Sequence, residues 1–218
     1  MRSFIQTKGL ESVWSGKMAV KQTTAYAGAK EWNCDITLAK FASSKIEEVL
    51  ELVDKDEALA ARDLTYLNVL MHELTHSVNT ITPKQYATPH GRALEEGLTE
   101  HFSRRSVIDL VGTRGIKVEQ GALAKHDTYP MAYSPWVESL REIDKILPET
   151  ALYELKYKVE PSDRVGYLLR LIAEPLTGAG MNEAGALKLA AGIVDYCIKG
   201  KVSKVKEKVE EVKNYLGR

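Results

Sequence analysis

Apolar and polar residues alternate through Trp32, Cys34, Ile36 and Leu38, the pattern of a half-buried strand. Val13, Val20 and Tyr26 lie in Gly- and Ser-broken stretches that can supply one or two more strands, so residues 1 to about 40 are expected to be β-rich. From Ser43 the period changes: Ile46, Val49, Leu50 and Val53 share one helical face, with Ser43 or Ser44 placed to cap it. A helical stretch follows over about 58–78 and ends before Asn79 and the loop ITPKQYATPHG. The next runs over about 92–111 and stops at Gly112. From Ser134 onward the pattern predicts helices over about 135–147, 149–158, 162–175, 182–198 and 202–216, separated by Pro148, Pro161, Pro175, Gly178 and Gly180. The fold class expected is α+β, mainly α-helical: a small N-terminal sheet packed on a helix pair, followed by a C-terminal helical bundle. The domain expectation is a first domain over 1–145 and a helical region over 146–218 packed on it.

Composition narrows the partners. Thirty Lys and Arg against thirty Asp and Glu give zero formal charge, so nothing global points to nucleic acid. No apolar run is long enough to span a bilayer, and the first residues lack the long apolar core of a signal peptide. A cytoplasmic protein with no membrane contact is the expectation, its oligomeric state open. The two cysteines, Cys34 and Cys197, are far apart and are expected to be buried free thiols. The Lys-rich end, KGKVSKVKEKVEEVKNYLGR, reads as a solvated amphipathic helix.

Chemistry enters at residues 72–76, His-Glu-Leu-Thr-His. Residues four apart on a helix lie nearly one above the other, so two imidazoles at this spacing can share one Zn²⁺. The Glu between them can reach a zinc-bound water without ligating the metal. At about 100° per residue, Leu67, Leu70, Met71, Leu74 and Val78 fall in an arc of roughly 100°, with His72 and His76 on the opposite side. One face packs on a core and the other presents imidazoles. Such a pattern arises by chance in a chain of this length on the order of once in a hundred.

A third ligand is expected from the segment ALEEGLTE. Leu94, Leu98 and Phe102 share one face of its helix, and Glu96 and Glu100 share the opposite one. Glu95 falls at the edge of the apolar face, so Glu96 is the preferred ligand and Glu95 the alternative. Glu100 can then accept a hydrogen bond from the outer nitrogen of a ligating histidine and orient its ring.

His-Glu-x-x-His followed by a Glu-x-x-x-acid helix, with nineteen residues between His76 and Glu96, resembles the gluzincin metallopeptidases in their thermolysin spacing. The EGLTEHFSRR segment and the later TYP…AYSPWVESLREI are similar to small gluzincins of microbial and phage genomes. The resemblance covers about residues 60–145. It implies His72, His76 and Glu96 as zinc ligands, Glu73 as the base, Glu100 in place of a supporting aspartate, and a peptide or protein as substrate. The chain departs from the full plan: it is too short for two thermolysin-like domains, and no late histidine matches the one that stabilises the intermediate. For that oxyanion role the candidates are Tyr133, Tyr129 and His126. Tyr133 comes first because its place at a helix entry resembles that of a recurrent tyrosine in the small gluzincins. His101 points away from Glu100 along the helix and reads as structural.

The function expected is hydrolysis of peptide bonds, as an endopeptidase, with Glu73 taking a proton from the zinc-bound water. The alternative is a latent or non-catalytic zincin-fold module of a phage or toxin system. Two subsidiary readings accompany it: residues 30–38 form either a substrate-binding strand edge or an ordinary core strand, and residues 199–218 occlude the cleft; Cys34 is expected to be simply buried and not a latency ligand.

Overall fold

The computed structural model describes residues 14–24, 27–31, 35–78 and 80–218. The expectations that rest on Val13, Tyr26, Trp32, Cys34 and Asn79 lie outside them. The chain is mainly helical, with a small sheet near its start and helices to its end. It divides into two compact units, one of Met1–Thr80 with Thr99–Met131, the other of Ile81–Leu98 with Ala132–Arg218. These units interleave in sequence.

The first unit begins with strands β1 (Met18–Lys21), β2 (Gly28–Lys30) and β3 (Ile36–Ala39). Their order is β1-β3-β2. β1 runs parallel to β3 with Met18 opposite Ile36, and β2 runs antiparallel with Gly28 opposite Leu38. The expected single edge strand over 30–38 is thus two strands. β3 is central and wholly buried, and β2 is an edge. Helix α1 (Lys40–Asp54) follows β3 directly and buries Ala42, Ile46 and Val49. Helix α2 (Ala61–His76) starts where Asp63 accepts a hydrogen bond from the backbone N–H of Ala60. Its core face carries Leu64, Leu67, Leu70, Met71 and Leu74. β2 packs against α2, and the approach is close at Gly28, where an added Cβ would stand 2.9 Å from Glu73 Cγ and 3.2 Å from Val69 Cγ1.

The segment expected to be the loop ITPKQYATPHG is largely helical. It forms α3 (Pro83–Tyr86) and the start of α4 (Pro89–Arg114). Thr82 and Gln85 close a reciprocal capping box, with Pro83 in the first turn. Proline is tolerated there because that N–H has no partner within the helix anyway. The residues of α4 from Thr99 onward belong to the first unit, with α5 (Ala122–Asp127).

The second unit holds α3, the first part of α4, and a bundle of α6 (Ser134–Asp144), α7 (Ala151–Tyr157), α8 (Arg164–Gly178), α9 (Glu183–Ile198) and α10 (Val202–Leu216). α9 packs on α8, and α10 packs on α6 and α9. Pro175 does not end α8: the helix continues to Gly178, and the break comes at Gly180, where φ is +97°. A proline in the last turn forfeits one hydrogen bond, and the chain stops where glycine adopts the left-handed conformation. α10 buries Val205, Val209 and Val212 and pairs its lysines with acids three residues away, as Lys204 does with Glu207 and Lys208 with Glu211. The Lys-rich end is therefore an amphipathic helix with its apolar face committed to the bundle. Cys197 is a buried free thiol whose pKa burial pushes up to about 12. Among the described residues no helix is long and apolar enough to cross a membrane.

Candidate metal centre

His72 and His76 end helix α2 one turn apart, and their Nε2 atoms face each other at 3.1 Å. The outer nitrogen of His72, Nδ1, lies 2.9 Å from Glu100 Oε2. Thr99 Oγ1 lies 3.3 Å from Nδ1 of His76. Glu100 is almost completely buried, and it is heavily bonded there. Asn68 donates to both of its oxygens at 3.1 and 3.2 Å, and Arg104 Nε donates to Oε1 at 2.7 Å. Burial alone would raise the Glu100 pKa, but the His72 and Arg104 partners outweigh it and hold the group at about 2. An ionised Glu100 calls for a proton on His72 Nδ1, which leaves the His72 Nε2 lone pair facing His76.

Arg104 extends this network. Its two terminal nitrogens donate to the carbonyls of Asp127 (2.7 Å) and Tyr129 (3.0 Å). The 127–129 segment is thereby tied through Arg104 and Glu100 to His72. His126 sits beside this arginine with both ring nitrogens sealed from water. Burial first, and then the Arg104 charge, lower its pKa to about 4. The unfolded chain, with an ordinary value near 6.5, binds the proton first as pH falls. Stability is therefore expected to fall between pH 6.5 and 4 by up to about 3 kcal/mol from this group alone. His126→Leu should flatten that part of a denaturant-midpoint profile. An equally steep profile in the variant would assign the acid sensitivity elsewhere.

One turn ahead of Glu100 on α4 stands Glu96, also buried. One ligand atom from each of His72, His76 and Glu96 can be chosen so that all lie within 4.8 Å of one another. Tyr86, in α3, donates its phenol to Glu96 Oε1. Burial and the Glu96 charge push the Tyr86 pKa well above that of a free phenol. Glu73 is buried between the two histidines, its carboxyl group against the backbone of Gly28.

The alternative ligand, Glu95, is engaged elsewhere. It is fully buried and accepts from Lys156 Nζ at 2.8 Å and from Arg164 Nη1 at 2.6 Å. Of the oxyanion candidates, Tyr133 caps α6, stacks on Trp136 with centroids 5.6 Å apart, and is near enough to Tyr86 to act on its charge. Tyr129 is exposed, and His126 is enclosed. His101 is buried edge-on against Phe102.

Sequence reasoning missed Tyr86, Arg104, Asn68, Lys156 and Arg164. Arg104 carried a signal, since it stands four residues after Glu100 on a buried helix, the spacing of a helical ion pair. Tyr86 carried one in the Thr82–Gln85 box that turns its segment helical. No protein-family model, no curated protein and no solved structure matches this chain.

Proposed function

We propose that this chain is a zinc metallopeptidase of the gluzincin type, hydrolysing peptide bonds of peptide or protein substrates. The observation that carries the reading is the convergence of His72, His76 and Glu96, with Glu100 on the outer nitrogen of His72. Two imidazoles and a carboxylate are a donor set suited to zinc. Tetrahedral bonds of about 2.0–2.1 Å put neighbouring ligand nitrogens about 3.3 Å apart. The 3.1 Å between the two Nε2 atoms is close to that edge.

Zinc, when held by these three residues, would polarise a peptide carbonyl and acidify water in its open position. The protein's own groups supply the rest. Glu73 takes a proton during attack and returns it to the leaving nitrogen. Glu100, fixed by Asn68 and Arg104, holds His72 in the tautomer that leaves Nε2 available. Tyr133, close to Tyr86, is the phenol assigned to donate to a developing oxyanion, while Tyr86 keeps its proton on Glu96. The edge of β2 beside Glu73 offers backbone groups for an extended peptide.

The test is metal content by elemental analysis in the wild type, His76→Ala and Glu96→Gln, with hydrolysis of a denatured protein mixture measured alongside. Expected are about one zinc per wild-type chain and loss of most of it in both variants. At zinc a hundredfold above Kd the wild type should gain about 2.7 kcal/mol of stability that a chelator removes. Folded wild type that takes up no zinc on supplementation would sink the proposal. Zinc without cleavage would move it to the latent or non-catalytic module.

A further inference from the structure

Arg92 stands four residues, one helical turn, ahead of Glu96 on α4, and its side chain is exposed. Its guanidinium carbon lies 5.9 Å from the centroid of the Tyr86 ring, the same tyrosine whose phenol donates to Glu96. Elsewhere exposed helical lysines are matched with a carboxylate three residues away, as in Lys45–Glu48, Lys204–Glu207 and Lys208–Glu211. Arg92 has acids three and four residues on, but both are taken. Glu95 is held by Lys156 and Arg164, and Glu96 by Tyr86. Among the described residues no carboxylate forms an ion pair with Arg92.

Nor does this charge serve the helix. Arg92 lies in the first turn of α4, which holds no acidic residue, and a cation there opposes the helix dipole. An exposed guanidinium without an acid, in an unfavourable position, set against the tyrosine that holds a candidate ligand, is placed for something outside the chain. Stacking over an aromatic face orients a guanidinium and leaves its in-plane N–H donors free for a planar anion. A carboxylate fits that fork with two parallel hydrogen bonds.

We propose that Arg92, seated on Tyr86, anchors a substrate carboxylate next to the bond that is cut. The inference rests on the peptidase reading and adds a substrate class to it. The guanidinium stands one tyrosine ring away from Glu96, and an extended peptide advances about 3.3 Å per residue, so the carboxylate lies within about three residues of the attacked carbonyl. It is either an Asp or Glu side chain or the free C-terminus of a short peptide.

The experiment compares kcat/KM of the zinc-loaded full chain on matched fluorogenic peptides. One pair carries Asp or Asn beside the cleaved bond with an amidated end. The other ends two residues after the bond as a free carboxylate or an amide. The carboxylate member of at least one pair is expected to be preferred by about tenfold or more, the size of a charge-assisted hydrogen bond. Preference in the first pair identifies an acidic side chain as the ligand, and preference in the second identifies the C-terminus. Arg92→Gln should reduce the ratio to near one, Arg92→Lys should restore part of it, and Arg92→Glu should favour a Lys peptide over the Asp peptide. Cleavage without preference in the wild type, or a ratio unchanged in Arg92→Gln, would overturn the anchor and leave the peptidase intact. Zinc-loaded protein that cleaves none of the peptides and no denatured protein would overturn the peptidase reading, and the anchor with it.

Discussion

Glu73→Gln is expected to take up zinc as the wild type does and to lose peptide hydrolysis by on the order of a thousandfold in kcat. The reasons are geometric. Glu73 lies between His72 and His76 on α2, so its carboxyl group faces the same side of the helix without joining the candidate ligand cluster of His72, His76 and Glu96. It is buried beside the backbone of Gly28, where any side chain at 28 would press on its Cγ. Glutamine matches its shape and can keep those contacts, but it cannot accept a proton near neutral pH. Binding and folding should survive while proton transfer does not. The measurement pairs kcat on a denatured protein with zinc per chain and the thermal midpoint. A variant that folds, holds zinc and retains more than a tenth of the wild-type rate would remove Glu73 from the role of base.

The parts of this site that were legible in the sequence are those written at short spacing on one helix. His72, Glu73 and His76 are within five consecutive residues, and the helical period alone puts the imidazoles on the side away from Leu67, Leu70 and Leu74. Glu96 and Glu100 are one turn apart, so a candidate ligand and a candidate supporting carboxylate could be read together. Tyr86 could not, because Pro83, Pro89 and Gly91 look like loop punctuation when the capping box beside them is passed over. The strands were half legible. β3 was found through Ile36 and Leu38, but alternation suggested one face in water, and Thr37 on that face is buried as well, its hydroxyl donating to Glu31. Lys156 and Arg164 were illegible for another reason. Charged residues on amphipathic helices are ordinarily solvated, and the acid that buries these two is more than sixty residues away in the chain.

That acid makes the second large prediction. Glu95→Gln is expected to destabilise the fold by about 3–5 kcal/mol, the range for removing one partner of a buried ion pair. This is a large part of the roughly 5–15 kcal/mol that holds a domain together. Lys156 and Arg164 are both buried, and Glu95 is the carboxylate that bonds to each. Without it two cations would lose the carboxylate they share in a site closed to water. Arg164 cannot shed its proton, so Lys156 would have to. Lys156 is already near that limit: burial lowers its pKa to about 8 against the opposing pull of Glu95. Because the folded value lies below the ordinary 10.5, the unfolded chain holds more protons across that window, and the wild type should gain stability as pH rises from about 8 toward 10.5. With Glu95 neutralised the lysine should deprotonate at lower pH still, and the deficit of the variant should narrow as pH rises. Urea midpoints of Glu95→Gln and of the triple change Glu95→Leu, Lys156→Met and Arg164→Leu decide what kind of interaction this is. An apolar replacement of all three should be far less damaging than the single change, because it removes the charges instead of stranding them. If the triple variant is as unstable as the single one, packing rather than charge pairing holds this part of the bundle. If the triple variant is stable yet binds zinc more weakly than the wild type, the pairing has a further effect. Glu95 and Glu96 point about 100° apart on α4, so clamping Glu95 to Lys156 and Arg164 fixes the rotation that turns Glu96 to its own partners.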